Sequence, residues 1–173
     1  MPRRNTQLES EGAEFLVVGE LLIRGVLAYK NYSKMPGYDI VATNPDTNRS
    51  ARISVKSRWA TNANSFIIKN FDCDFVVVAK LNRGIKSGDG KILRPEFFVL
   101  PVDVVRNAPR SKGFNKMTFG SIHNFRAYGE RWDTISKFLS RWRSGNNLRS
   151  VRGLTTKSRG TRARTPRALH LER

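Results

Sequence analysis

The sequence predicts an α/β domain, with a mixed sheet of about four to five strands flanked by helices, followed by a disordered basic C-terminal tail. Three observations support this fold class. Apolar residues recur at helical spacing near both ends of the first 143 residues, four short runs of β-forming residues lie between those ends, and the composition changes after Arg143. An order of helix, strands and helix is typical of a sheet covered by helices.

The opening helix is predicted from about Gly12, where apolar residues begin to recur every three or four positions. Ser10 is the expected N-cap, and it places Glu14 in a first turn that favours acids. Residues 1–10 are accordingly predicted to be a flexible leader. Gly25 interrupts the pattern, so we expect the helix to end near Arg24 and the first strand to follow.

A β-hairpin is predicted from two β-forming runs, residues 39–43 and 51–58, that flank the turn-forming residues 44–48. Such a pairing brings residues from the two strands side by side. We therefore expect Asp39 and Lys56 to lie close together. An acid and an amine so placed in a very basic chain indicate a site that handles phosphate with a metal ion.

The later elements are read from similar runs. Residues 74–81 are predicted to be a buried central strand because their middle is continuously β-branched. The remaining predictions are a strand at 96–101, a short helix at 102–107, an exposed turn at 82–91, an irregular region at 108–128 and a closing helix at 130–142, while 65–70 is ambiguous. The domain is thus predicted to span residues 11–143, and the tail residues 144–173.

Charge is the strongest global feature of the chain, which has 32 Lys and Arg against 14 Asp and Glu and a net charge of +18. Such a field attracts polyanions, nucleic acid first and an anionic membrane surface as the weaker alternative. The sequence contains no run of about 18 apolar residues that could span a bilayer. Acidic residues interrupt the segment where a signal peptide would lie. A single cysteine, Cys73, excludes an internal disulfide and a cysteine-based zinc site, and it suits a reducing cytoplasm.

Two segments are candidates for nucleic-acid binding. Residues 141–173 carry ten Lys or Arg and one Glu, a net charge of +9, including Arg141 and Arg143. Residues 110–128 interleave cations with aromatic rings, and Lys112, Lys116 and Arg126 are the candidate contacts. The alternatives are a tail that only solubilises the chain and a loop whose rings fix it to the core.

The ordered motifs resemble those of the PD-(D/E)xK nuclease superfamily, whose fold is restriction-endonuclease-like. The residues concerned are a Glu on the opening helix, Gly37-Tyr38-Asp39, and a strand, residues 53–58, that carries Lys56. The layout is similar to that of archaeal Holliday-junction resolvases and of small uncharacterised bacterial members. The resemblance covers about residues 9–143.

The resemblance implies a metal-dependent DNA endonuclease or DNA-processing nuclease. Glu14 would be the helix acid, Asp39 the main metal ligand, Lys56 the site lysine, and the carbonyl of Val55 a further ligand to Mg²⁺ or Mn²⁺. Arg58 extends the strand and could contact phosphate. Two departures weaken the match: Ser54 stands where the family usually has a second acid, and Tyr38 stands in place of Pro.

Other interpretations stay open at this point. The chain could be a non-catalytic nucleic-acid-binding protein that keeps the nuclease fold, or an RNA-associated basic accessory protein; DNA is favoured over RNA, and a homodimer is compatible with the sequence. Asp39 by itself could be a strand-end residue, and Glu20 is the fallback for Glu14. The isolated residues His123 and His170 argue against zinc. Asp72 and Asp74 mark the start of a strand rather than a catalytic pair.

Overall fold

A computed structural model of the chain describes residues 5–32, 37–85, 90–110 and 115–141. The contacts within the chain divide it after Trp142, and every described residue belongs to the first of the two units. The predictions made for Lys112, Arg143, His170 and the tail at 144–173 lie outside the described residues. No helix in the described part of the chain is long and apolar enough to cross a membrane.

The opening helix begins earlier than the sequence indicated. Helix α1 spans Thr6–Ile23, and its N-cap is Asn5, whose side chain accepts hydrogen bonds from the backbone N–H of Gln7 and Leu8. The prediction of Ser10 as the N-cap, and of a flexible leader through residue 10, was wrong. The extra turn contacts no core, since Leu8 is 69% exposed, so apolar periodicity could not mark it. The predicted end is confirmed, with Arg24 as the C-cap and Gly25 at φ +75°.

Five strands form the main sheet, in the order β1-β2-β3-β5-β6. Strands β3 and β5 run parallel, and the other neighbouring pairs are antiparallel. The predicted fold class, the β2–β3 hairpin and the two later strands are confirmed. The elements after α1 are β1 Leu27–Lys30, β2 Ile40–Asn44, β3 Arg49–Arg58, β4 Ser65–Ile67, β5 Phe75–Lys80, β6 Glu96–Pro101, α2 Val102–Asn107, β7 Lys116–Thr118 and α3 Asp133–Ser140.

The region predicted to be irregular, residues 108–128, contains structure that the sequence did not reveal. Strand β7 pairs antiparallel with β4, and the facing residues Phe66 and Met117 are both buried. Two 3₁₀ turns follow, at Phe119–Ser121 and Phe125–Tyr128. Strands of three residues are too short to show a period of two, so tertiary packing rather than local pattern defines them.

Two further corrections concern the turn at 82–91 and the closing helix. The turn at 82–91 was predicted to be exposed, yet Asn82 is buried and donates hydrogen bonds from Nδ2 to the Arg94 carbonyl and to Glu96. The closing helix α3 is shorter than predicted, since it ends at Ser140 and its first residue is Asp133.

The sheet separates two apolar clusters. Helices α1 and α3 cover one face, where Val17, Leu21 and Ile135 pack on residues such as Ile53 and Val77 of the sheet. We call the other side the ribbon face, because the β4–β7 ribbon packs there on residues that include Val76, Val78 and Leu100. Strand side chains alternate between faces, and Ile53 and Val55 face the helices. Ser54, Lys56 and Arg58, at every second position of β3, therefore belong to the ribbon face.

Candidate functional site

Asp39 immediately precedes strand β2 and is fixed against strand β3. Its backbone N–H donates to the carbonyl of Ile53 at 2.9 Å. Its carboxylate oxygen Oδ2 accepts from the backbone N–H of Val55 at 2.6 Å and from the hydroxyl of Ser54 at 3.3 Å. The carboxylate therefore has a defined position between the two hairpin strands, with Oδ2 engaged by the protein.

Gly37 is required for the chain to reach this position. Its φ is +122°, a backbone conformation that residues with a side chain rarely adopt. A Cβ placed on Gly37 would also lie 2.8 Å from the carbonyl oxygen of Asp72. The glycine of the Gly-Tyr-Asp motif thus lets the backbone pass closely against the segment before strand β5.

Lys56 lies on the same face of the hairpin as Asp39. The β2–β3 register places Asp39 opposite Ser54, and Lys56 is two residues further along β3. Asp39 and Lys56 both line an open cavity of about 250 Å³ together with Gly37 and Lys69. They also line an adjoining cavity of about 300 Å³, whose wall includes Glu14. The structure therefore brings Glu14, Asp39 and Lys56 to one opening, while their chemical roles stay predictions.

Glu14 reaches this opening from helix α1 and forms an ion pair. Its Oε2 lies 2.7 Å from Nζ of Lys30, whose side chain is only 5% exposed and also pairs with Glu11. Burial raises the pKa of Glu14, the hydrogen bond from Lys30 opposes that rise, and the negative charge of Asp39 adds to it.

Lys30 is the residue at this site that sequence reasoning missed. Its ammonium lies over the rings of Phe15 and Tyr32, at 5.2 and 5.3 Å from their centroids, as well as beside two carboxylates. Burial opposes the charged form of Lys30, but the hydrogen bonds that Lys30 donates to Glu11 and Glu14 outweigh it and raise its pKa. A single basic residue at the end of strand β1 carries no sequence signal of such an environment.

Ser54 occupies the position where the family pattern has a second acid. It is 2% exposed, and its hydroxyl donates to Asp39, so it holds the neighbouring carboxylate without adding charge. Across the described ranges, no group of three or more His, Cys, Asp or Glu side chains is arranged to hold a metal ion. The carboxylates at the opening are Asp39 and Glu14. Hard oxygen donors of this number suit Mg²⁺, which proteins usually hold through one or two carboxylates while it keeps several waters.

Arg58 lines the same cavity as Glu14 and Lys56. Its Nε is buried, and no described residue accepts a hydrogen bond from it. A buried guanidinium donor without an acceptor is costly, and an anionic oxygen in the cavity would satisfy it. Of the other predicted nucleic-acid contacts, Lys116, Arg126 and Arg141 are exposed.

The remaining candidates are engaged elsewhere. Asp72 and Asp74 both pair with Arg52, and Asp74 also accepts from its backbone N–H at 2.7 Å, which confirms their place at a strand start. Glu20 pairs with Arg24 on helix α1. Burial raises the pKa of the Cys73 thiol to about 11, so a thiolate nucleophile at neutral pH is not available there.

Comparison with known proteins identifies the fold. No family model and no curated protein matches the sequence. Among solved structures, the bacterial homing endonuclease I-Ssp6803I superposes with a TM-score of 0.50 over 79% of this chain and 94% of its own, at 20% sequence identity. The chain has the restriction-endonuclease-like fold. The predicted resemblance to PD-(D/E)xK nucleases is thereby confirmed as a structural likeness.

A second solved structure, the Holliday junction resolvase Hjc from the archaeal hyperthermophile Archaeoglobus fulgidus, also matches. It superposes with a TM-score of 0.40 over 65% of this chain and 86% of its own, at 19% identity. At these identities the likeness concerns the restriction-endonuclease-like fold and not the residues that fill it. The chemistry of this protein has to be argued from its own side chains.

Proposed function

We propose that the protein is a metal-dependent DNA endonuclease that hydrolyses phosphodiester bonds with Mg²⁺ or Mn²⁺. The observation that supports this proposal is the meeting of Glu14, Asp39 and Lys56 at one cavity of about 300 Å³. These residues come from helix α1, from the position just before β2 and from β3, and the cavity opens onto the surface of a chain with a net charge of +18. The homing endonuclease that shares the fold is a nuclease by its name.

In this mechanism Asp39 and Glu14 would hold the ion, and the carbonyl of Val55 is a third candidate ligand. When bound, the ion polarises the phosphate and lowers the pKa of the attacking water. The attacking water loses a proton to solvent as its oxygen forms a bond to phosphorus, the bond from phosphorus to the leaving deoxyribose oxygen breaks, and that oxygen takes up a proton from solvent. Hydrogen bonds from Ser54 and Val55 keep the Asp39 carboxylate oriented throughout.

Lys56 and Arg58 supply positive charge from the protein itself. The ammonium of Lys56 stabilises the negative charge that develops on the phosphate oxygens, an electrostatic effect that is strong where water is excluded. Arg58 donates hydrogen bonds to a phosphate, which gives its buried Nε an acceptor. Both side chains lie on the ribbon face next to Asp39, so the scissile phosphate is bound at that edge of the hairpin.

The central experiment compares cleavage of plasmid, linear and branched DNA by the wild type, Asp39→Asn and Lys56→Met, with Mg²⁺ or Mn²⁺. Asparagine keeps a side-chain oxygen that can accept from Val55, so Asp39→Asn removes the charge but retains the β2–β3 hydrogen bond. We expect both variants to cleave about 100-fold more slowly or worse, with DNA binding changed only a few-fold. Lys91→Gln, an exposed lysine away from the cavity, is the matched control.

A non-catalytic DNA-binding protein with the same fold is the second candidate. Ser54 in place of an acid, together with the pairing of Glu14 to Lys30, favours it, because both reduce the negative charge available to a metal. Calorimetric titration with Mn²⁺ separates the two. A binding signal in the wild type that is lost in Asp39→Asn supports the nuclease. Salt-sensitive DNA binding with no metal signal and no cleavage supports the second candidate.

A further inference from the structure

A cavity of about 420 Å³ lies on the ribbon face, separate from the opening that holds Asp39. Its walls come from β5, β6 and the two 3₁₀ turns that follow β7. Three aromatic rings, two cations and one carboxamide line it: Phe98, Phe119, Phe125, Lys80, Arg126 and Asn124. The proposed chemistry at the Asp39 opening uses none of these side chains.

The three rings form an ordered aromatic wall. Phe125 stacks on Phe98 with 4.3 Å between centroids, and on Phe119 with 4.4 Å and an angle of 5° between the planes. Phe98 and Phe125 are buried in the core, whereas Phe119 is half-buried. Phe119 is therefore the ring that can take a planar ligand against it, while the other two hold it in place. The alternative in which rings fix this loop to the core applies to Phe125, while nucleic-acid binding by the loop stays a prediction.

The polar groups of this cavity match a nucleotide. Arg126 is exposed, and Nζ of Lys80 lies 3.0 Å from Glu96, which also receives a hydrogen bond from Asn82. Those hydrogen bonds and the charges of Lys80 and Arg126 lower the pKa of Glu96. The two cations and one carboxylate leave a net positive charge. The Asn124 carboxamide offers a donor and an acceptor, the pair that reads a base edge.

Basic residues of neighbouring strands relate the cavity to the Asp39 opening. In the parallel β3–β5 register, Lys56 faces Val78 and Arg58 faces Lys80. Paired residues of neighbouring strands share a face, so Lys56, Arg58 and Lys80 form a continuous basic row. Arg58 lies two residues along β3 from Lys56, and Lys80 lies one strand across from Arg58. The usual rise per residue and strand spacing therefore place the backbones of Lys56 and Lys80 about 8 Å apart. A nucleic-acid strand that has one phosphate at Lys56 would pass Arg58 and place a nearby nucleotide in the cavity.

We infer that this cavity binds one unpaired base of the nucleic-acid strand, stacked on Phe119, with Lys80 and Arg126 contacting its phosphate. Base stacking on an aromatic side chain is tolerant of sequence, and Asn124 adds hydrogen bonding to the base edge. That a nucleic-acid strand is the ligand rests on the proposed function, whereas base binding by the cavity can be tested with free nucleotides.

The first test is an NMR titration of the full chain with dAMP or dTMP, and with 2-deoxyribose 5-phosphate as the ligand that lacks a base. We expect both nucleotides to shift the amide signals of Gly120 and Asn124 in a saturable way, and the sugar phosphate to bind much more weakly. Phe119→Leu, which keeps apolar volume, weakens nucleotide affinity about tenfold or more. Arg83→Gln, an exposed arginine outside the cavity, leaves it unchanged.

The second test uses a single-stranded oligonucleotide that carries one 2-aminopurine, bound to Asp39→Asn so that cleavage cannot interfere. We expect its fluorescence to be quenched on binding, and the quenching to be lost in Phe119→Leu. Equal shifts with sugar phosphate and nucleotides, or unchanged quenching in a Phe119→Leu protein that keeps the wild-type melting temperature, overturn the inference. DNA cleavage without nucleotide binding at the cavity overturns it and leaves the nuclease intact. Nucleotide binding without cleavage supports it while the nuclease proposal fails.

Discussion

Lys30 and Glu14 form a nearly buried ion pair, with side chains that are 5% and 14% exposed. A pair of this kind adds little net stability, because the energy gained by the interaction is largely spent on removing both charges from water. Its significance is positional. Lys30 compensates a carboxylate at the edge of the proposed metal site and keeps that carboxylate in one orientation.

Removing one partner of the Lys30–Glu14 ion pair tests this role of Lys30. We expect Lys30→Met to lower the free energy of unfolding by about 3 kcal/mol, since it leaves Glu14 buried without its counter-charge. Adding Glu14→Gln to Lys30→Met should recover part of the loss, because glutamine is neutral and nearly isosteric. Urea unfolding of the wild type, both single variants and the double variant measures the coupling. Lys116→Met, at an exposed lysine, is the control. Additive effects of the two substitutions would contradict the interpretation.

The close approach of Gly37 to Asp72 links the β2–β3 hairpin to the segment that leads into β5. We expect Gly37→Ala to destabilise the protein by about 1 to 3 kcal/mol, because it adds both a strained φ and a clash with backbone atoms. Gly12→Ala is the matched control. Apart from its chain neighbours and the backbone of its own helix, no atom lies within 4 Å of the added Cβ. Since alanine favours helices, this change should stabilise helix α1 by up to about 1 kcal/mol.

Thermal unfolding followed by circular dichroism measures both glycine variants. The two changes add the same methyl group, so opposite signs show that backbone conformation decides the outcome. If Gly37→Ala were as stable as the wild type, the close packing against Asp72 would not be needed for the hairpin.

The elements that the sequence predicted well are those whose signal is local. The β2–β3 hairpin has β-forming runs around a turn, and its register alone brings Asp39 and Lys56 to one face. Glu14 was assigned through the family resemblance, since nothing local separates it from Glu20. Lys30 escaped notice because its partner Glu11 lies 19 residues away and on another element. The aromatic cavity was equally inaccessible, because β5, β6 and the 3₁₀ turns meet only in the folded chain.

Across the whole molecule the charge is unevenly distributed. Helix α1 carries four Glu and no Lys or Arg, although the chain has a net charge of +18. Residues 144–173 hold eight Lys or Arg and one Glu, which is +7 of that total and leaves +11 for residues 1–143. Both parts of the sequence are therefore cationic enough to bind phosphates.

The contribution of the C-terminal segment is measurable through salt. Each phosphate neutralised on duplex DNA changes the slope of log Kobs against log salt by about 0.9. We expect a full-length variant with the eight Lys and Arg of residues 144–173 replaced by Gln to show a slope that is shallower by several units, with about 7 as the upper bound. Fluorescence anisotropy on a labelled duplex at several salt concentrations gives both slopes. A variant with the same segment scrambled keeps its charge and should bind like the wild type, because phosphate contacts read no sequence. An unchanged slope in the Gln variant would assign DNA binding to the folded domain alone, through residues such as Arg58 and Arg126.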